Sequence, residues 1–307
     1  MKILIYGAGV IGGSIAKALI LQGFEVFCIN RSPLSFDGIK FFQSVEELPN
    51  VHFDIICVAV PRGRNYEIYQ ETFGKIKDLS CDFIVDCSSV QGQNEYLRGY
   101  FRGKFIPCHP IAGSEKVGFD NSDAKFLEGK SCIVIGINPP QAVINFWHAC
   151  KMKTRIIATY KEHDEIYAAV SHLPQLISFF LPEPRELCTE FYRLKSSSRG
   201  IWDEIFLHNM ENIQPLLYIL GANFIGINFI SSDQNMPFEK IISKLLLNST
   251  RSDYQSFAGT GFETVTSCEN ISNVNCDERG IVHEIINKAK IYLVELKKSH
   301  KPSSITL

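Results

Sequence analysis

The sequence lacks an excess of either charge. Its 31 Lys and Arg stand against 33 Asp and Glu, a formal net charge of −2. Without a basic surplus there is no electrostatic footprint for nucleic acid or for an anionic membrane surface. It also lacks a run of roughly 18 uninterrupted apolar residues, which excludes an expected membrane-spanning helix. No CxxC pair and no Cys/His cluster has zinc-ligand spacing, so no metal centre is expected. Ten cysteines are present, but they are scattered. Cys28, Cys57, Cys81, Cys87, Cys108 and Cys132 fall in or beside short apolar runs, where a free thiol behaves as a small hydrophobe. That usage suits a reducing, cytoplasmic setting better than a disulfide framework. The apolar start could pass for a signal peptide, but its turn glycines and Lys17 argue against that. There is no regular internal repeat. The remaining partners are a small molecule or a second copy of the chain.

What is present is globular material for two domains: 307 residues, 45% hydrophobic and 21% charged. Strand-like runs alternate with helix-like segments from the start: KILIYG, a helix to Leu21, EVFCIN, a helix-like stretch, DIICVAV, a helix near 65–78, then DFIVDC, KFIPCH and SCIVIG. Continuous apolar strands in βα alternation imply a parallel sheet covered on both faces. After Pro139 and Pro140 the periodicity turns helical, over about 160–181, 201–220, 237–247 and 280–297. The expected fold is an α/β Rossmann dinucleotide-binding domain over 1–158, followed by a mostly α-helical domain over 159–307. Residues 250–279 read as a loop or lid and 299–307 as a frayed tail. The apolar stretch ILGANFIGINFI, too hydrophobic for a solvated face, predicts a homodimer.

Gly7-Ala8-Gly9-Val10-Ile11-Gly12 follows the first strand and opens a helix, the context that gives GxGxxG its meaning. Gly7 permits the tight turn, Gly9 lets backbone approach a pyrophosphate, and Gly12 lets helix and strand pack closely. The second strand ends in Asn30-Arg31-Ser32 with no carboxylate to repel a 2′-phosphate. Arg31 would neutralise one, while Asn30 and Ser32 donate hydrogen bonds. NADP is therefore expected, with NAD as the alternative.

Four further segments stand out: Asp86-Cys87-Ser88-Ser89-Val90; His109-Pro110-Ile111-Ala112-Gly113-Ser114-Glu115; Glu162-His163-Asp164 followed by Ser171-His172-Leu173-Pro174; and Phe191-Tyr192-Arg193 with Trp202-Asp203-Glu204-Ile205. In this order, behind the glycine loop, they resemble the prephenate and arogenate dehydrogenases of tyrosine biosynthesis over roughly residues 1–220. The resemblance implies oxidative decarboxylation of a cyclohexadiene dicarboxylate in a cleft between a Rossmann and a helical domain. It implies His109 as the base for the ring hydroxyl, with Ser89 bonding that hydroxyl or His109. It further implies Arg193 on a substrate carboxylate, Glu115 orienting or gating the cleft mouth, and His172 facing the cleft. Arg199 is an alternative anchor, because Leu194–Gly200 departs from the family pattern. Gln91 and Gln175 stand where the family often has a lysine and a histidine, which removes positive charge. Pro174 is expected to kink its helix.

Two other readings compete. A β-hydroxyacid dehydrogenase or imine reductase shares the architecture, but it leaves HPIAGSE without a purpose. A catalytically silent NADPH-sensing protein would tolerate the departures at Gln91 and Gln175. Prephenate against arogenate, and feedback by tyrosine, are not legible.

Overall fold

The computed structural model describes residues 1–63, 67–113, 116–180, 194–217 and 277–299. Six strands, β1 (Lys2–Tyr6), β2 (Glu25–Ile29), β3 (Ile39–Phe42), β4 (Phe53–Val58), β5 (Cys81–Asp86) and β6 (Phe105–Ile106), form a sheet of order β3-β2-β1-β4-β5-β6. Every neighbouring pair is parallel. Alternate side chains go to opposite faces, and both faces are buried. Ile3, Ile5, Val26, Cys28, Ile55 and Cys57 pack with Ile15 and Leu19 of α1 (Val10–Ile20) and with Phe146 and Trp147 of α4 (Gln141–Ala149). Leu4, Phe27, Ile56 and Val58 pack with Tyr69, Phe73 and Ile76 of α2 (Glu67–Ile76) and Leu97 of α3 (Glu95–Tyr100).

This burial is what holds α1. The helix carries Gly12 and Gly13 in its first turn and has no side-chain cap bond. Each glycine costs about 0.8–1 kcal/mol relative to alanine, whereas burying one large apolar side chain returns roughly 1.5–3 kcal/mol.

The run KFIPCH, expected as one strand, divides at Pro107. Proline has no N–H for a ladder, and here the chain leaves the parallel sheet after β6. β7 (Cys108–Pro110) then pairs antiparallel with β8 (Ser131–Ile135), His109 opposite Ile133. β8 in turn pairs parallel with β9 (Lys153–Ile157). β9 carries no apolar run because it is largely exposed, which is why periodicity misses it. The helix-like stretch expected after β2 is instead β3 and a short 3₁₀ turn at Val45–Glu47.

Among the described residues, strands end at Ile157. Thr159 then caps α5 (Tyr160–Tyr167), its hydroxyl accepting from the Glu162 amide at 3.1 Å. A π-helical turn, Ala168–His172, leads into α6 (Leu173–Ser178). Pro174 lies in the first turn of α6, where its missing N–H is tolerated and the widened turn before it accommodates the ring. Beyond it come the helix Arg199–His208, helical residues 210–217 and the helix Asp277–Ser299. The last buries Ala289, Leu293 and Leu296, spaced for one face.

The chain divides into two compact units, Met1–Ile213 with Leu293–Leu307, and Gln214–Tyr292. ILGANFIGINFI, the helical pattern at 237–247 and most of the 250–279 segment lie outside the described residues. No helix among those described is long and apolar enough to cross a membrane. The seven described cysteines are all free.

Candidate active site

The glycine loop sits where β1 gives way to α1, at the point where the sheet order reverses between β1 and β4. Ligands of open parallel sheets bind in this crevice. Gly7 has φ +100°, and a Cβ there would lie 2.6 Å from the Ala59 carbonyl oxygen. A Cβ on Gly12 would run into the Gly7 carbonyl oxygen. At Gly9 it would meet nothing within 4 Å. The loop is thus closed toward the protein at Gly7 and Gly12 and open outward at Gly9. Ala8 and Val10 are buried, so what they offer a ligand is backbone. The amides that open α1 have no acidic side chain in the first turn, leaving the positive helix end for an anion. These residues fit the pyrophosphate of a dinucleotide. At the end of β2, Arg31 and Ser32 are exposed, and the Asn30 side-chain amide donates to the Ser32 carbonyl at 2.9 Å.

A buried polar cluster lies at the carboxyl end of β5. Asp86 is fully buried and accepts from the Tyr69 hydroxyl (2.8 Å), the Asn94 amide (3.1 Å) and the Cys108 backbone N–H (3.1 Å). Burial pushes its carboxyl up, and the Arg62 guanidinium opposes that rise. Arg62, also buried, donates to the Ser88 hydroxyl at 2.6 Å and to the Val90 carbonyl. Gln91 donates through Nε2 to the carbonyls of Ser88 and Cys108, 2.8 Å each. The positive charge that Gln91 does not supply is therefore present in the same cluster, from Arg62.

His109 is 8% exposed and its Nδ1 lies 2.9 Å from His163 Nε2. His163 Nδ1 lies 2.7 Å from Asp164 Oδ1. Asp164 Oδ1 also accepts from the Gln91 N–H at 2.8 Å, and its Oδ2 from the Gly92 N–H at 2.6 Å. The Tyr167 ring covers both imidazoles, its centroid 4.7 Å from that of His109 and 4.6 Å from that of His163. Burial, then His163, His172 and Arg62, hold the His109 pKa well below the ordinary 6.5, so the ring is neutral at neutral pH. His172 is buried rather than open to a cleft, and burial lowers its pKa to about 4. Its Nδ1 lies 2.9 Å from the Asn209 amide, which also donates to the Asp164 carbonyl at 2.8 Å. The Arg199–His208 helix docks on the loop after β4: Glu204 accepts from the Gly63 N–H at 3.2 Å, and His208 Nε2 donates to the Gly63 carbonyl at 3.1 Å.

Of the residues expected from sequence, the structure brings His109 and His172 into one polar cluster through His163, Asp164 and Asn209. Ser89 is half-buried just after β5. Among the described residues, the hydrogen-bond partner of the His109 ring is His163; Ser89 was expected to bond either the substrate hydroxyl or His109. Glu115 and Arg193 lie outside the described residues. Arg199 is exposed, with its guanidinium carbon 4.9 Å from the centre of the Phe179 ring. Sequence reasoning missed Arg62, Asp86, Asn94, His163, Asp164 and Asn209 as site residues. Asp86, His163 and Asp164 stood inside segments already singled out. Arg62 follows β4 at the switch point, and that position was the available signal.

The strand order and the open glycine loop are those of a Rossmann dinucleotide-binding protein. Residues 37–154 match the family model described as the prephenate dehydrogenase nucleotide-binding domain. The chain is similar, over part of its length, to prephenate dehydrogenases. It is 30% identical over 238 residues to prephenate dehydrogenase of Lactococcus lactis subsp. cremoris, a match that covers 68% of this chain and 65% of that relative. Two solved structures share the fold. Prephenate dehydrogenase from Aquifex aeolicus, in complex with hydroxyphenyl propionate and NAD+, superposes with a TM-score of 0.69 at 22% identity, covering 81% of this chain and 97% of that one. Synechocystis arogenate dehydrogenase gives a TM-score of 0.64 at 19% identity, covering 84% and 100%.

Proposed function

We propose that this chain oxidatively decarboxylates prephenate or arogenate to 4-hydroxyphenylpyruvate or tyrosine with a nicotinamide dinucleotide. The observation that carries this reading is a buried histidine, His109, kept neutral, inside the family-matched residues. A nicotinamide dinucleotide held on the Gly7–Gly12 loop would supply the acceptor for the hydride at C4 of the substrate. As the C4–H bond breaks, the hydroxyl on that carbon becomes acidic, and a neutral imidazole takes its proton. The C–C bond to the ring carboxylate then breaks, CO2 departs, and its electron pair makes the ring aromatic. The proton returns from His109 to the new phenol oxygen. Aromatisation drives the reaction, so the protein's task is orientation and proton handling.

In this reading Ser89 bonds the reacting hydroxyl, Glu115 gates the cleft mouth, and His172 braces the wall behind His109 through Asn209. Residues 1–158 form the dinucleotide domain and 159–307 the substrate and dimerisation domain of a cytoplasmic homodimer. NADP is the preferred cofactor because Arg31 and Ser32 are exposed where a 2′-phosphate would sit. The deciding experiment is steady-state kinetics with prephenate and arogenate, each with NAD and NADP. One substrate is expected to turn over, with higher kcat/KM for NADP. Arg31→Ala should erode that preference by about 10-fold or more, the loss of a charge-assisted contact worth about 1.5–3 kcal/mol. Equal or better efficiency with NAD in the unmodified protein overturns the cofactor assignment. No turnover of either substrate overturns the function.

Arg193 is assigned to the substrate carboxylate. Because that carboxylate is present before and during the reaction, Arg193→Ala should raise KM more than it lowers kcat. An unchanged KM, with the effect at Arg199→Ala instead, moves the anchor to Arg199.

A further inference from the structure

With an ionised Asp164 and a single hydrogen on each imidazole, the hydrogen bonds among Asp164, His163 and His109 run in one direction. An ionised carboxylate accepts and never donates. Asp164 Oδ1, 2.7 Å from His163 Nδ1, therefore requires the hydrogen to be on His163 Nδ1. A neutral His163 then has a bare Nε2, which can only accept. Its neighbour at 2.9 Å is His109 Nδ1, so that nitrogen carries the hydrogen of the neutral His109 ring. The lone pair of His109 is left on Nε2.

We propose that Asp164 and His163 form a positioning relay that holds His109 in the Nδ1–H tautomer, with Nε2 as the atom that takes and returns the substrate proton. The inference rests on the assignment of His109 as the base. In the alternative tautomer the proton-accepting face would already be occupied. When Nε2 gains a proton, the imidazolium keeps Nδ1–H pointed at His163, and the charge faces Asp164 through one intervening ring. No atom is lost or gained in the relay.

Its anchoring is built into the fold. The Asp164 carboxylate is itself held by the Gln91 and Gly92 amides, and a Cβ on Gly92 would come within 2.8 Å of Oδ2. His163 and Asp164 are buried at 0% and 4% exposure. With Tyr167 over both rings, water has little access to break the chain. Among the described residues, Arg62, His172 and Tyr167 also lie near His109; Arg62 donates to Ser88 and Val90, and His172 Nδ1 faces the Asn209 amide.

The test reads tautomers directly. The 307-residue chain, labelled with ¹⁵N in its eight histidines, is examined at neutral pH by long-range ¹⁵N–¹H correlation, with signals assigned by single substitutions. The expected result is a protonated Nδ1 and a bare Nε2 at both His109 and His163. His163→Phe, which fills the site but offers no acceptor, should release the His109 tautomer and lower kcat by about 10²-fold. His163→Gln, whose side-chain oxygen can accept from Nδ1, should keep both the tautomer and most of kcat. A protonated Nε2 on His109 in the unmodified protein overturns the relay, and so does His163→Phe with unchanged kcat and spectrum. If the phenylalanine variant does not fold, the spectrum of the unmodified protein still decides. The expected tautomers without turnover of either substrate leave the relay standing and remove the proposed reaction. Turnover with the opposite tautomer does the reverse.

Discussion

Replacing His109 by asparagine is expected to lower kcat by about 10²- to 10⁴-fold, the usual contribution of a positioned general base. Dinucleotide affinity should be unchanged, since the glycine loop is built from other residues. Only the neutral ring can accept the hydroxyl proton, so kcat/KM should rise with pH as His109 loses its proton. Because burial and the neighbouring His163, His172 and Arg62 hold its pKa well below 6.5, the acid limb should lie below the ordinary histidine range. Activity is then flat across neutral pH, and the asparagine variant has no such limb. A variant with near-normal kcat, or one that keeps the same limb, shows that another group takes the proton. A limb at 6.5 or above in the unmodified protein shows that the ring is wetter than the structure places it.

The second large effect is expected at Gly12. In Gly12→Ala the new Cβ would run into the Gly7 backbone carbonyl, a contact that no rotamer can relieve, so the loop must shift away from α1. The amides that face the pyrophosphate shift with it. Losing two amide-to-phosphate bonds, each worth about 1.5–3 kcal/mol, weakens dinucleotide binding by about 10²-fold or more. Calorimetric titration of NAD and NADP into the folded variant measures this, with His109→Asn as the variant that should bind normally. Unaltered affinity in Gly12→Ala would mean that the cofactor does not lie on this loop.

How much of this was legible beforehand differs from element to element. β1, β2, β4 and β5 were readable because strands buried on both faces show as unbroken apolar runs such as KILIY and FDIICV. β9 was not, because its largely exposed residues include Lys153 and Arg155. The division of KFIPCH was half-visible in Pro107, but a proline shows where a ladder stops and not which sheet the chain joins next. His109 was readable because HPIAGSE is a local pattern. Its partner was not, since 54 residues separate it from His163 and the segment Glu162-His163-Asp164 carries no mark of which residue it meets.

The sequence by itself determined the Rossmann half, the glycine loop and the histidine to watch. These depend on short-range patterns: unbroken apolar runs, turn glycines and a contiguous motif. Only the tertiary structure decided that Asp164 reaches across from α5 to the Gln91 and Gly92 amides, that Arg62 supplies charge beside Gln91, and that His172 is buried. Each is a contact between segments far apart in the chain, and such contacts are chosen by how whole elements pack. Burial then sets the chemistry, because taking a charge or an imidazole out of water moves its pKa, and no residue carries its own burial in its name.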